Sequence, residues 1–192
     1  MTWMTETTLS DERAELVPLS HDHHAALVEA AADGELWKLW YTFVPSPDRM
    51  SADIDRRLGL ETMVPFTILD KEQGIPVGMT TYLNIDAVNR RLEIGATWYR
   101  KSVQRSGLNT HVKDLMLAHA FEELDCIAVE FRTHFFNRQS RTAIERLGAK
   151  LDGILRSHTI MPDGSLRDTC VYSILKSEWP AVKSHLAHLK TR

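Results

Sequence analysis

The sequence predicts an α+β fold in three layers, in which helices pack on a mixed, mostly antiparallel sheet that contains one parallel crossover. Two observations carry this. Arg91–Tyr99 alternates with a strand's two-residue period, a strongly periodic helix follows from Gly107 to Leu124, and Cys126–Phe131 is an apolar strand-like run. A strand, a helix and a second strand in that order make a parallel crossover. Elsewhere, turn-forming clusters at Asp70–Gly74, Asp86–Arg90 and Pro162–Gly164 join strand-like runs that return on each other.

Taken in order, Ala14–Leu19 reads as a first strand. Ser20 is placed to cap a helix with Leu27, Val28 and Ala31 on one face, and Asp33-Gly34 ends it. Leu36–Val44 is rich in aromatics (Trp37, Trp40, Tyr41, Phe43). Pro45-Ser46-Pro47 breaks it, and Arg49–Leu60 is a second helical region. Val64–Leu69 and Pro76–Leu83 form a hairpin. In the next strand, Leu92, Ile94, Ala96 and Trp98 should face one side, and Glu93, Gly95, Thr97 and Tyr99 the other. The helix after it carries a stripe of Leu108, Val112, Leu115, Met116 and Phe121 or Leu124. Asn137–Leu147 is an amphipathic helix with Ala143, Ile144 and Leu147 inward, stopped by Gly148. A hairpin of Leu151–Met161 and Leu166–Leu175 and a helix at Trp179–His188 complete the chain. There is no internal repeat and no linker. The expected organisation is a flexible N-terminal lead-in over residues 1–13 and a single domain over 14–192.

Composition excludes several classes of function. The apolar share of 43%, the charged share of 26% and the net charge of -3 are those of an ordinary globular domain, not of a general nucleic-acid binder. No apolar run reaches the ~18 residues that span a bilayer, and no signal-peptide core precedes the domain. Cys126 and Cys170 fall in apolar runs and read as reduced core residues, which fits a cytoplasmic protein. His21, His23 and His24 sit together with only Asp22 beside them, a set that reads as structural or surface rather than as a zinc site; no metal is expected.

The segment Gln104-Arg105-Ser106-Gly107-Leu108-Asn109 ends a strand and opens a helix. Such a junction offers unpaired backbone N–H groups and the positive end of a helix dipole, which together bind phosphate or pyrophosphate. Lys101 and Arg105 suit the same anion. A nucleotide-phosphate enzyme is a weak alternative, because neither a Walker lysine nor a Gly-x-Gly-x-x-Gly run is present.

Three motifs then align in order. They are Gln104 and Gly107 in a Gln/Arg-x-x-Gly-x-Gly/Ala loop, Glu93-Ile94-Gly95 followed by Trp98-Tyr99, and Asn137 and Ser140 followed by Glu145-Arg146-Leu147-Gly148-Ala149. With these, the chain resembles the GNAT superfamily of N-acetyltransferases over residues 14–175, and within it the ribosomal-protein N-terminal acetyltransferase type. The resemblance implies the acyl-CoA N-acyltransferase fold, acetyl-CoA as cosubstrate, and a primary amine acceptor (a protein N-terminus, an amino acid or a small amine) attacked directly in a ternary complex. It implies that the phosphates lie on Gln104, Arg105, Ser106, Gly107, Leu108, Asn109 and Thr110. It also implies that backbone groups of Thr97, Trp98 and Tyr99, with Asn137, hold the pantetheine arm. Asn109 departs from the small residue usual at its place, and its amide could itself donate to the anion. Ile144 stands where many relatives carry a tyrosine acid, and the resemblance implies Ser140 as the substitute.

Other residues keep two readings each. Glu93 either takes the amine's proton or forms an ion pair with Arg90, Arg91 or Arg132. Ser140 either serves the departing thiolate or is an ordinary polar residue of a first helical turn. Arg138 and Arg141 either reach the adenosine 3′-phosphate or are solvated. His134 is either a proton shuttle at the cleft or a loop histidine. Trp37 and Trp40, with Tyr41 and Phe43, are core, acceptor pocket or both. Neither a nucleic-acid nor a membrane partner is expected, and a homodimer is left open. The competing function is a non-catalytic CoA-binding sensor or interaction protein on the same fold, favoured by Asn109 and the missing tyrosine.

Overall fold

The structure, a computed structural model, describes residues 3–191. Eight strands form one sheet in the order β1-β2-β3-β4-β5-β6-β8-β7. They are β1 (Leu9–Ser10), β2 (Ala14–Pro18), β3 (Val64–Asp70), β4 (Ile75–Asp86), β5 (Arg91–Tyr99), β6 (Ala128–His134), β7 (Lys150–Ile160) and β8 (Leu166–Leu175). Every neighbouring pair is antiparallel except β5 and β6. The helices are α1 (His24–Ala32), α2 (Met50–Leu58), α3 (Leu108–Ala118), α4 (Arg138–Arg146) and α5 (Trp179–Lys190).

The two sheet faces carry two cores. One contains Leu92, Ile94, Val129 and Phe131 from the sheet together with Val112, Met116, Ile144, Leu147 and Leu186 from the side of α3, α4 and α5. The other packs Leu27, Ala30, Met50 and Ile54 of α1 and α2 against Met79 and Trp98. Cys126 and Cys170 are free and buried in the first core. Past Ala118, the α3 helix continues as a π turn over His119–Glu123. The Tyr82 hydroxyl donates to the Met116 carbonyl at 2.7 Å, so an intruding side chain uses an acceptor of the helical ladder where the helix widens. Among the described residues, no helix is long and apolar enough to cross a membrane.

The strict alternation expected along β5 breaks. Thr81 pairs with Gly95 and Met79 with Trp98, so Ala96 and Thr97 together oppose Thr80: a β-bulge, with Ala96 at φ 47°. The extra residue flips the parity. Trp98 therefore joins the α1/α2 core and not the face of Leu92 and Ile94, while Tyr99 packs on the α3 side. Gly78 makes room for this: a Cβ there would lie 2.0 Å from the Trp98 carbonyl oxygen.

Residues 3–13, expected as part of a loose lead-in, make defined contacts with the rest of the domain. Met4 and Leu9 are buried, β1 pairs with β2, and Trp3 Nε1 donates to the Leu124 carbonyl at 3.2 Å. Asp11 accepts from the Arg13 and Ala14 N–H groups at 2.9 Å and meets His111 Nδ1 at 2.8 Å. A few apolar anchors in a polar stretch suffice once the end of α3 presents a surface to them. Residues 1 and 2 lie outside the described residues.

Candidate active site

The site follows from one topological fact. β5 and β6 pair only over Arg91–Ala128, Leu92–Val129 and Glu93–Glu130, and beyond that they separate. Parallel strands that part leave backbone groups without a ladder partner and a gap through the sheet. A cleft of about 1770 Å³ runs through this gap, lined by residues of both faces. On one side stand the 104–110 loop and the first turns of α3 and α4. On the other stand α2, the 39–44 segment and the ends of β6 and β8.

On the first side, the backbone turns at Arg105 (φ 66°) and Gly107 (φ 87°) before α3 begins. Ser106 Oγ donates to the Val103 carbonyl at 2.7 Å, and Gln104 Nε2 to the Tyr99 carbonyl at 3.1 Å. Both bonds brace the loop from within. Among the described residues, the N–H groups of Arg105, Gly107 and Asn109 find no protein acceptor. A Cβ at Gly107 would meet nothing within 4 Å, so open space faces these donors. Such a cradle fits a pyrophosphate. Asn109 Oδ1 accepts from the Tyr99 hydroxyl at 2.9 Å, which leaves its amide N–H groups to donate elsewhere. Leu108 contributes only backbone, since its side chain is buried in the core. Thr110 lines the cleft.

Asn137 caps α4 as expected: its Oδ1 accepts from the Ser140 N–H at 3.0 Å. Ser140 and Ile144 lie one turn apart and both line the cleft. Arg138 also lines it, but Arg141 does not. Its Nε donates to the Tyr172 hydroxyl at 3.0 Å and its guanidinium lies 5.0 Å over the Phe135 ring. This placement has a local cause: Tyr172, fixed in turn by Glu145 at 2.8 Å, draws Arg141 toward β8.

Glu93 lies at the apex where the strands part, 6% exposed. Asn84 Nδ2 donates to its Oε2 at 2.8 Å, and Arg132 approaches the same oxygen at 3.6 Å. Burial pushes its carboxyl above the ordinary range, against the pull of Arg132 and Asn84. Of the three arginines considered from sequence, only Arg132 reaches it; Arg90 pairs with Asp125 and Arg91 with Glu130. Gly95 leaves room beside it: a Cβ there would lie 2.8 Å from Glu93 Oε1, and the carboxylate would have to shift.

His134 ends β6, 2% exposed, and lines the cleft. Its Nδ1 accepts from the Phe136 N–H at 3.1 Å, so the neutral ring carries its proton on Nε2, which is buried without a partner. Burial first, then the Arg167 charge, hold its pKa below the usual value, so it stays neutral. Trp40 packs edge-on against this ring, with centroids 5.0 Å apart, and so stands behind the cleft wall. Trp37 packs against the α1/α2 core, one of the readings left open from the sequence, and is not in the cleft lining; the turn at Leu36–Lys38 directs it inward. Tyr41 and Phe43 do line the cleft. His23 accepts within the Ser20 cap and meets Thr67 Oγ1 at 2.8 Å, and His21 faces Asp55 at 2.9 Å, contacts that fit structural roles.

Four residues of the cleft were not legible as such. Lys113 is buried with its amine on the Thr97 and Thr80 hydroxyls at 2.7 and 3.2 Å, under the bulge, and burial lowers its pKa to about 7. Arg57 is buried between Asp53 and the Thr81 hydroxyl. Asn84, at φ 47°, turns its amide onto Glu93. Arg167 leans over Phe43. In the sequence each is an ordinary polar residue of a helix or strand, and a partner on another element gives it its place in the cleft.

The chain matches the profile of the acetyltransferase (GNAT) domain over residues 13–150. It is 32% identical over 142 residues to YdaF of Bacillus subtilis (strain 168), described as a candidate ribosomal N-acetyltransferase, covering 74% of this chain and 72% of that one. Among solved structures it superposes on a candidate acetyltransferase from T. thermophilus with a TM-score of 0.86 and 32% identity, covering 97% and 98% of the two chains. A GCN5-related N-acetyltransferase from Brucella melitensis gives a TM-score of 0.87 with 28% identity, covering 97% and 86%. A splayed parallel pair, an anion loop at a helix start and these likenesses together place the chain in the GNAT acetyltransferase family.

Proposed function

We propose that this protein transfers the acetyl group of acetyl-CoA to a primary amine, both substrates being bound at once. The observation that carries this reading is the through-going cleft at the β5–β6 split, with Glu93 at its apex and the 104–110 loop at one mouth. Acetyl-CoA would supply the activated acyl group. The loop N–H groups, Gln104 and Arg105 would hold its phosphates, and the free backbone of Thr97–Tyr99 with Asn137 would hold its arm. The acceptor would enter from the α2 side, where Glu93 faces.

An amine attacks only when neutral, and at neutral pH most amines are protonated. Glu93, its pKa raised by burial, is suited to take that proton directly or through water. Asn84 fixes the orientation of the carboxylate, and Arg132 keeps enough of it ionised to act. Ser140, on the opposite side, offers a hydroxyl to the departing thiolate. The relative named for ribosomal N-acetylation supports a peptide N-terminus among the acceptors.

The test is direct. CoA should raise the Tm of the pure protein, as any ligand specific for the native state does. Thiol release from acetyl-CoA should then follow with at least one of a set of amino acids, amines and peptides. A CoA shift without thiol release across that set would indicate a protein that binds CoA without catalysis.

A further inference from the structure

Arg167 stands apart among the arginines on the acceptor side of the cleft. Arg56 and Arg57 pair with Asp53 at 2.6 Å, and Arg132 pairs with Glu130 at 2.9 Å. Among the described residues Arg167 has no carboxylate partner. Its Nε donates to Thr169 Oγ1 at 3.0 Å and its guanidinium lies 5.9 Å from the Phe43 ring centre, so stem and head are held while the terminal amino groups stay free. A partly buried guanidinium without a counter-ion is a costly arrangement unless something else supplies the charge.

The pairing of β6 with β8 brings a second unused donor to the same face. His134 is the direct partner of Thr169, and Arg167 lies two residues along, on the same side of the sheet. The buried Nε2–H of His134 has no acceptor. Trp40, 53% exposed, lies edge-on against this ring from behind the cleft wall. Glu93 belongs to this face as well, since Glu93 pairs with Glu130, four residues before His134. It forms no ion pair with Arg167, although its charge acts on that guanidinium. The wall thus offers a base for an amine and, set back from it, two donors for an oxyanion.

We infer that Arg167, with His134, anchors a carboxylate of the acceptor, so that the favoured acceptor is an amine bearing a carboxylate several bonds from its nitrogen. This rests on the acetyltransferase reading of the cleft. The carboxylate can belong to a small amino acid or to an acidic residue next to a peptide's N-terminus. Arg is suited to either, because its planar fork matches a carboxylate in two-point contact.

Binding of acetylated products to the CoA-saturated protein tests this without requiring turnover. The small-molecule arm compares N-acetyl-γ-aminobutyrate with its carboxamide. The peptide arm compares N-acetyl-alanyl-aspartate with its asparagine counterpart, both amidated at the C-terminus. The carboxylate form should raise Tm further in at least one arm, with the carboxamide giving little. Arg167→Gln should weaken that binding by about 10- to 100-fold, as loss of a charge-assisted contact does, while Arg167→Lys retains part of it. The shift given by CoA alone should be the same in all three proteins, which also shows that the variants fold. Equal shifts from carboxylate and carboxamide in both arms, or a preference that survives Arg167→Gln, would overturn the anchor. If CoA shifts Tm and amines release thiol without such a preference, the acetyltransferase reading stands and the anchor alone falls.

Discussion

Ser140 and Glu93 stand on opposite sides of the gap in the sheet, and each has a separable consequence. Ile144 has no proton to give, so a thiolate leaving from the cleft needs another donor, and Ser140 is one turn away on the same helical face. A hydrogen bond to a charged group is worth ~1.5–3 kcal/mol, so Ser140→Ala should slow turnover roughly 10- to 150-fold with a smaller change in CoA affinity. Steady-state kinetics beside a CoA titration measures both. Glu93 leads to a pH dependence. Its carboxyl titrates above the ordinary range, so as pH falls it takes up a proton and ceases to act as a base earlier than an exposed glutamate would. The acid limb of kcat/KM, corrected for the free amine fraction, should therefore lie above the usual carboxylate region of about pH 4. A limb at or below that region would contradict a base role for this residue.

At the scale of the element, the 104–110 loop was legible because its signals are local. A strand's alternation ends, a glycine follows, and a 3.6-period stripe begins. Gly107 has a positive φ and faces open space, so a side chain there is strained and fills the space assigned to phosphate. Gly107→Val should abolish the CoA-induced rise in Tm in a protein that still folds; an undiminished rise would remove the loop from the cofactor site. The bulge in β5 was not legible. Its positive-φ residue is Ala96, not glycine, and the extra residue shows only against the register of β4. Everything after it changes face, which is why Trp98 lies in a core different from the one its spacing implied. The same limit hid Lys113. On a helical wheel it borders the apolar stripe as an ordinary surface lysine would, and only the hydroxyls of β4 and β5 show that its amine is buried.

For the molecule as a whole, element order, the crossover and the hairpins could be read from the sequence because each depends on neighbours a few residues apart. The N-terminal segment could not, since Trp3 bonds Leu124 and Asp11 meets His111 across most of the domain. The directions of the Arg141 and Trp37 side chains were hidden for the same reason: Tyr172 decides one and the second core the other. The N-terminal tie has a measurable consequence. Burial works against ionised Asp11, but the Ala14, His111 and Arg13 contacts outweigh it, and the net pKa lies below the ordinary value. The Ser102 and Arg100 contacts likewise lower that of Asp33, which ties the start of the anion loop to the end of α1. Groups with depressed folded pKa values stabilise above their unfolded value of about 3.9 and lose that contribution as pH falls through the folded value. Stability by denaturant titration should therefore hold down to about pH 5 and fall steeply below about pH 4, and Asp11→Asn should flatten that fall. An unchanged acid profile in Asp11→Asn would mean that the tie contributes nothing.

Acetyl transfer at the β5–β6 split, with Glu93 accepting the amine's proton, is tested most directly by one comparison. The rate of thiol release from acetyl-CoA is measured for the wild-type protein and for Glu93→Gln, beside the Tm shift each shows with CoA. Turnover should be slower by ~10²-fold or more in the variant, with the CoA shift nearly unchanged. Equal turnover in the two proteins would contradict this chemistry and reduce Glu93 to a structural partner of Asn84 and Arg132.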